Sequence, residues 1–243
     1  MNYAVILSGG VGTRLGLDIP KQYYEVNKKP IIRYVIETLE QSDVVDGIII
    51  VAAPEWQDYL KEQISCEEKF LGFAEPGQNR QLSIYSGLCY LCECLQQGAE
   101  VVSDSKVQVA SADAIKDVIV LIQDAARPNT SLQTIADCFS LAENEDGAMP
   151  VLPMKDTVYA SMDGKCVSSL LDRKTIFAGQ APESFRLEKY LAANEALLPT
   201  RILNINGSTE PAIMAGMNIK MIHGDENNYK ITTEVDLRRF CEQ

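Results

Sequence analysis

Histidine is almost missing from this chain, with His223 the single copy among 243 residues. Zinc sites usually combine two Cys or His groups, and one histidine beside one cysteine cluster, "CYLCEC" at 89–94, falls short of that. Positive charge is scarce too. Lys and Arg number 22 against 34 Asp and Glu, a net charge of −12, and a broad nucleic-acid footprint needs clustered cations. Any anionic ligand must therefore meet a local basic pocket. No stretch approaches the roughly 20 apolar residues of a membrane span, and "MNYAVILSGG" has neither the basic start nor the apolar length of a signal peptide. A cytoplasmic enzyme without a nucleic-acid or membrane partner is the expectation. The seven cysteines, an odd number in such a chain, read as reduced thiols. Helical spacing puts Cys89 and Cys92 on one face, where they serve as small apolar packing groups.

What the chain does have is alternation. "YAVILS" at 3–8, "GIIIVAA" at 47–53 and "VIVLIQ" at 118–123 are unbroken apolar runs, the pattern of central parallel strands covered on both faces. Between them lie amphipathic stretches. "PIIRYVIETLEQS" places Pro30 in a first helical turn and aligns Ile32, Val35, Ile36 and Leu39, and "NRQLSIYSGLCYLCECLQQG" repeats the pattern. A helix from about 131 to 144, a strand "GAMPVLP", a last strand at "IKMIHG" and a helix ending at Cys241 complete the series. This order predicts an α/β fold, a doubly wound, mostly parallel Rossmann-like sheet, within one domain over 1–243 whose 46% apolar content can fill a core. The small, polar stretch 101–117 reads as a surface excursion.

The turn leaving the first strand, "SGGVGTRLG" at 8–16, holds four glycines and one arginine. In such a sheet ligands bind at strand ends, and glycines let backbone N–H groups approach phosphate oxygens. A P-loop is excluded because no Gly-Lys-Ser/Thr closes the loop. The dinucleotide fingerprint fails as well, since Leu15 occupies the third glycine position and Gly16 and Pro20 interrupt the helix it needs. A loop wrapping a nucleoside triphosphate, with Arg14 and then Lys21 as cations, remains, beside the plainer reading of an ordinary turn with surface charges. Two further segments favour the former. "PGQNRQLSIYSGL" at 76–88 runs a glycine turn into a helix carrying Arg80 and Ser83, an anion or nucleobase site. "QDAARP" at 123–128 sets Asp124 at the end of a buried strand, the usual place for a magnesium ligand, although a loop or cap acid would look the same.

The segments "LSGGVGTRLG", "PKQYYEV", "PGQNRQLSIYSGL", "QDAARP", "KDTV", "LDRKTIFAGQAPESF" and "NNYKITTEVDL" occur in the order of the cytidylyltransferase family that acts on 2-C-methyl-D-erythritol 4-phosphate or ribitol 5-phosphate, and the chain resembles that family nearly throughout. The resemblance implies a nucleotidyltransferase-type fold and a magnesium-dependent reaction of CTP with a polyol phosphate, yielding a CDP-polyol and pyrophosphate. It implies that the loop Ser8, Gly9, Gly10, Gly12 to Arg14 wraps the triphosphate. On the same resemblance, Gly77, Gln78, Arg80 and Ser83 are expected to frame the nucleotide, and Arg14, Lys21 and Lys230 to face the reacting phosphate. Asp124 is expected to hold Mg2+. The resemblance further implies a β-arm at about 154–180 that enters the partner of a homodimer, where Thr157 and Arg173, with Arg127, would serve the polyol phosphate. A phosphate monoester is already ionised at neutral pH, so this chemistry needs no general base, which suits a chain with one histidine; His223 is expected to be structural.

Two departures from the family pattern bear on the substrate. Many relatives carry a Thr-Asp-Asp/Glu-Ala-Ser stretch supplying a second acidic metal ligand, whereas "NGSTEPAIMAG" at 206–216 puts Thr209 where the aspartate would fall, leaving Glu210 or Asn206 as substitutes. Gln78 stands where some relatives have an acid. The form "FAGQAPESF" and the missing aspartate point toward ribitol 5-phosphate, with methylerythritol 4-phosphate as the alternative. A nucleotide-binding module without catalysis and, more remotely, a dehydrogenase are the competing classes.

Overall fold

A computed structural model describes residues 1–10, 19–100 and 115–243. The chain opens with β1 (Asn2–Leu7), a short hairpin of β2 (Glu25–Val26) and β3 (Lys29–Pro30), α1 (Ile31–Gln41), β4 (Gly47–Val51), α2 (Pro54–Lys61) and β5 (Phe70–Ala74). It continues through α3 (Arg80–Glu100), β6 (Ile119–Asp124), α4 (Leu132–Ala142) and β7 (Gly147–Pro153). The last part contains β8 (Val158–Ala160), β9 (Ser169–Leu171), β10 (Phe177–Gly179), β11 (Glu183–Arg186), α5 (Leu187–Glu195), α6 (Glu210–Met214), β12 (Ile219–His223) and α7 (Glu234–Cys241).

The main sheet runs β5-β4-β1-β6-β11-β7, with β7 also pairing β10 and β12. Strands β1, β4, β5 and β6 are parallel, as are β7 and β12, and the antiparallel strands β10 and β11 complete a mostly parallel sheet. Every residue of β4 and β6 is buried because helices cover both faces. The alternating side chains of β1, β4 and β6 divide into two cores. Ala4, Ile6, Ile48, Ile50 and Leu121 pack with Val35, Ile36 and Leu39 of α1 and with Ile135 and Phe139 of α4. On the other face Val5, Ile49, Val51, Val120 and Ile122 meet Ile84, Leu88 and Leu91 of α3 and Tyr190 of α5. A Cβ at Gly87 would lie 2.6 Å from Val5 Cγ1, so the missing side chain lets α3 seat directly on β1.

The apolar periodicity carries over to the structure for all three central strands and for α1, α3 and α4. Pro30 differs: it ends β3 and caps α1 from outside, its fixed φ of −65° with extended ψ turning the chain into the helix. Most of 101–117 lies outside the described residues, and 115–117 form a turn. All seven cysteines are unpaired; burial raises the Cys89 and Cys94 thiols and pushes Cys92 up to about 11, the behaviour of packing groups rather than nucleophiles. His223 is exposed on edge strand β12. Strands β8 and β9 form a two-stranded ribbon of their own, and every residue from 161 to 175 is exposed. Among the described residues no helix is long and apolar enough to cross a membrane.

Candidate active site

The parallel register of β1 and β6 places Leu7 beside Asp124, so the glycine turn and the carboxylate leave the sheet at the same edge. Ser8 is fully committed there. Its N–H donates to Val51 O at 2.9 Å, its hydroxyl donates to Tyr23 Oη at 2.8 Å, and its carbonyl accepts from Gln22 Nε2 at 2.6 Å. Gln22, 3% exposed, donates also to Gly10 O at 2.8 Å. In a trans peptide the N–H opposes the C=O, so pulling the Ser8 carbonyl toward Gln22 turns the Gly9 N–H the other way. The short helical turn Lys21–Tyr23, which begins with the half-buried Lys21, is thereby tied to the loop. Gly12 and Arg14 lie outside the described residues. Gln22→Leu keeps the bulk but removes the donor from the part-buried Gly10 carbonyl and the closer of two donors from the buried Ser8 carbonyl, which keeps Tyr23 Oη at 3.2 Å. We expect a stability loss of about 1–3 kcal/mol and a KM for the nucleotide raised roughly tenfold, measured by thermal unfolding and steady-state kinetics.

The second glycine turn packs against the first: a Cβ on Gly9 would meet Pro76 Cβ at 2.4 Å, and one on Gly77 would meet Leu82 at 2.3 Å. Gly77 N–H donates to Ser83 Oγ at 3.1 Å, and Asn79 Oδ1 caps α3 by accepting from Leu82 N–H at 2.8 Å. Gln78 is exposed, and Arg80, the first residue of α3, turns toward Asp124. Three cations converge on that carboxylate. Arg80 Nη2 lies 3.0 Å from Oδ1, while Lys230 Nζ at 3.1 Å and Arg127 Nε at 3.3 Å share Oδ2. Burial alone would raise the Asp124 carboxyl, but Arg80, Lys230 and Arg127 hold it well below the usual carboxylate range. Arg127 also donates to Asn228 O at 2.6 Å, so it braces the cluster. Thr157 and Arg173 are elsewhere on the chain, lining a cavity of about 480 Å³ beside the β8–β9 ribbon with Leu170, Leu171 and Asp172.

A sequence profile of the IspD family, 2-C-methyl-D-erythritol 4-phosphate cytidylyltransferase, matches residues 2–102 and 94–240. The chain belongs to this family. This cytidylyltransferase is 29% identical over 243 residues to the 2-C-methyl-D-erythritol 4-phosphate cytidylyltransferase of Lachnospira eligens, covering 98% of this chain and 96% of that one. It is 28% identical over 243 residues to the ribitol-5-phosphate cytidylyltransferase of Streptococcus agalactiae serotype III, covering 99% and 94%. The fold matches the crystal structure of the Francisella tularensis 2-C-methyl-D-erythritol 4-phosphate cytidylyltransferase with a TM-score of 0.73 at 23% identity, over 98% of this chain and 97% of that one. It is therefore an enzyme of the nucleotidyltransferase class.

Sequence reasoning missed one acid beside this cluster. Glu183 on β11 pairs in register with Ile122, two residues before Asp124 on β6, and accepts from the hydroxyls of Ser208 and Thr209, the latter at 3.2 Å. Thr209, which stands where the family aspartate would fall, is thus the hydroxyl partner of a buried carboxylate supplied by another strand. "APESF" sets an acid and a serine between Pro182 and Phe185, the one signal that could have drawn notice. Burial raises the Glu183 carboxyl, with Arg80 and the Ser208 hydroxyl pulling it down. The sign follows: a raised carboxylate favours the fold below its unfolded pKa of about 4.3 and loses that contribution as pH climbs through the folded value. Glu183→Gln retains hydrogen-bonding capacity without the charge. Its Tm should gain on the wild type by at least about 2 °C between pH 4.5 and pH 8 in paired melting curves.

Among the described residues no group of three His, Cys, Asp or Glu side chains could hold a metal by itself. Of the substitutes considered for a second ligand, Glu210 accepts through Oε2 from the backbone N–H of Asn206 at 2.8 Å, and Asn206 Nδ2 donates to Asn204 O at 3.3 Å. Magnesium usually binds one or two carboxylates and completes its shell with phosphate oxygens and water. A lone ionised Asp124 fits an ion that arrives with a triphosphate.

Proposed function

We propose that this cytidylyltransferase transfers CMP from CTP to a polyol phosphate, with ribitol 5-phosphate as the acceptor. The observation that carries the reading is the convergence of Arg80, Arg127 and Lys230 on Asp124 beside two interlocked glycine turns. An oxygen of the acceptor phosphate, already ionised at neutral pH, attacks the α-phosphorus of CTP. The bond from the α-phosphorus to the oxygen bridging it to the β-phosphate breaks, and pyrophosphate departs with the electron pair. No proton has to move. Lys230, Lys21 and Arg14 are the cations that face the charge accumulating on the α-phosphate and the leaving group, and Arg80 frames the nucleotide. Asp124 would hold Mg2+, which supplies charge neutralisation on the triphosphate when bound. Gly9, Gly10, Gly12, Gly77, Gln78 and Ser83 belong to the nucleotide side.

The acceptor side is proposed at the arm. The β8–β9 ribbon exposes Tyr159, Met162, Val167 and Leu170, with Met162 92% exposed, an apolar face suited to a second subunit. In such a homodimer Thr157 and Arg173 would bind the acceptor phosphate of the neighbouring site. Arg173→Ala is then expected to raise the acceptor KM roughly tenfold or more and to leave the CTP KM within about twofold in steady-state assays.

Ribitol 5-phosphate is favoured by "FAGQAPESF" and by Thr209, whose hydroxyl serves Glu183 instead of a metal. Methylerythritol 4-phosphate remains the competing acceptor, supported by the similarity to the Lachnospira eligens enzyme. Pyrophosphate release from CTP and Mg2+, run in parallel with ribitol 5-phosphate, methylerythritol 4-phosphate and glycerol 3-phosphate, decides between them. The proposal expects kcat/KM for ribitol 5-phosphate to exceed the others by roughly tenfold or more; preference for methylerythritol 4-phosphate would overturn the acceptor assignment.

A further inference from the structure

Lys230 lies in a segment, 224–233, without helix or strand to hold it. On one side the Ile231 N–H donates to Ala126 O at 2.9 Å. On the other stands Asn228, 1% exposed, whose Nδ2 donates to Ala181 O at 2.8 Å and whose Oδ1 accepts from the Thr130 hydroxyl at 3.1 Å. Arg127 Nη1 and Asn129 Nδ2 also donate to the turn, at Asn228 O (2.6 Å) and Asn227 O (3.1 Å). From the other side the hold comes from Gln180, the residue that follows β10. Its Nε2 donates to Asp225 O at 2.8 Å and to Asn228 O at 3.2 Å, and its Oε1 accepts from Asp225 N–H at 3.1 Å. The side-chain amide thus pairs with both the N–H and the C=O of Asp225, as a neighbouring strand would. The fit is close: a Cβ on Gly224 would sit 2.3 Å from Gln180 Oε1.

A second tie joins the same two parts. The Lys155 ammonium, at the base of the arm, pairs with Glu226, and Lys155 O accepts from Arg173 Nη1 at 2.8 Å. The arm residue assigned to the acceptor phosphate and the loop that carries Lys230 therefore meet at Lys155, the first on its carbonyl and the second on its ammonium.

We propose that Gln180 is a positioning residue for Lys230, latching the 225–228 turn to the foot of the arm so that the ammonium stays at Asp124. The proposal rests on the reading of Lys230 as a cation of the reaction centre. Gln180 is 6% exposed with both ends of its amide engaged inside the protein, so it acts through the loop rather than on substrate. A donor in the amide plane is essential, because the two atoms facing Nε2 are both carbonyl oxygens.

The test uses Gln180→Glu, which sets an acceptor against those carbonyls, and Gln180→Met, which removes the donor without adding charge. Each is made alone and with Lys230→Ala, and assayed with CTP, Mg2+ and ribitol 5-phosphate. Either variant should lower kcat roughly 10–100-fold with the CTP KM within about threefold, since small displacements of a reacting group are this costly. Neither should lower kcat further in the Lys230→Ala background. An additive loss in that background, a change confined to the CTP KM, or wild-type kcat in both Gln180 variants overturns the proposal. Wild-type kcat in Lys230→Ala alone overturns instead the reading of Lys230. Reductive methylation of the folded enzyme, followed by mass spectrometry, supplies a readout independent of turnover. Lys230 should be labelled faster in Gln180→Met than in the wild type, and an unchanged rate contradicts the latch.

Discussion

Asp124→Asn is expected to separate binding from turnover. The substitution removes the one negative charge that Arg80, Arg127 and Lys230 share, so the site becomes more positive and metal-free CTP should bind at least as tightly as before. Turnover should nevertheless fall by about 10²-fold or more, because the reacting phosphate loses the carboxylate that orders its cations and would hold magnesium. Stability should fall as well. Breaking a buried ion pair costs about 3–5 kcal/mol, but Arg80 and Lys230 are about a third exposed, which lowers the expectation to about 1–3 kcal/mol. Calorimetric melting, with isothermal titration of CTP in EDTA, checks both halves. The pH dependence has a definite sign. A carboxylate held below its ordinary value contributes stability that is complete above the unfolded pKa of about 3.9 and is lost as pH falls through the lower folded value. The difference in Tm between wild type and Asp124→Asn should therefore be constant near neutral pH and shrink below about pH 4.

Lys230→Ala is expected to produce the other large effect. Its ammonium is held 3.1 Å from Asp124 Oδ2, where on the proposed reading phosphate oxygens would share it as negative charge builds on them. An interaction that strengthens only in the transition state lowers kcat when removed, by roughly 10²–10³-fold for a preorganised charge, and leaves the CTP KM within about threefold. Single-turnover kinetics with saturating CTP would report the chemical step. A variant that raised KM and kept kcat would place Lys230 in uniform binding of the nucleotide.

How far these assignments were legible beforehand follows from what each residue does. Strands β1, β4 and β6 are readable because burial on both faces forces continuous β-branched runs. Strand β11 is not. It is four residues long, antiparallel, and begins with the acid Glu183, so neither period nor polarity marks it. Asp124 could be read as an acid at a strand end, and the sheet register confirms its position. Lys230 came only from the resemblance to a family, since nothing local in "NNYKIT" says that it reaches a carboxylate 106 positions earlier in the numbering. Gln22, Gln180 and Glu183 escaped for a common reason. Their roles consist of hydrogen bonds to backbone or hydroxyl groups brought near by the fold, and a glutamine in "PKQYY" or "FAGQAP" has no sequence signature for that. Arg127 is assigned to the acceptor only through the family resemblance; in the structure it bonds to Asp124 and to Asn228 O, joining the end of β6 to the Lys230 loop.

The central claim is that CMP moves from CTP to a polyol phosphate at the Asp124 cluster. CTP labelled in its α-phosphate, incubated with Mg2+, ribitol 5-phosphate and either the wild type or Lys230→Ala, tests it most directly. Label should appear in a diphosphate-linked cytidine product, matched mole for mole by pyrophosphate, and both should nearly vanish with the variant. Label that stays in CTP with every polyol phosphate supplied, emerges as free CMP, or transfers equally well without Lys230 would contradict the account.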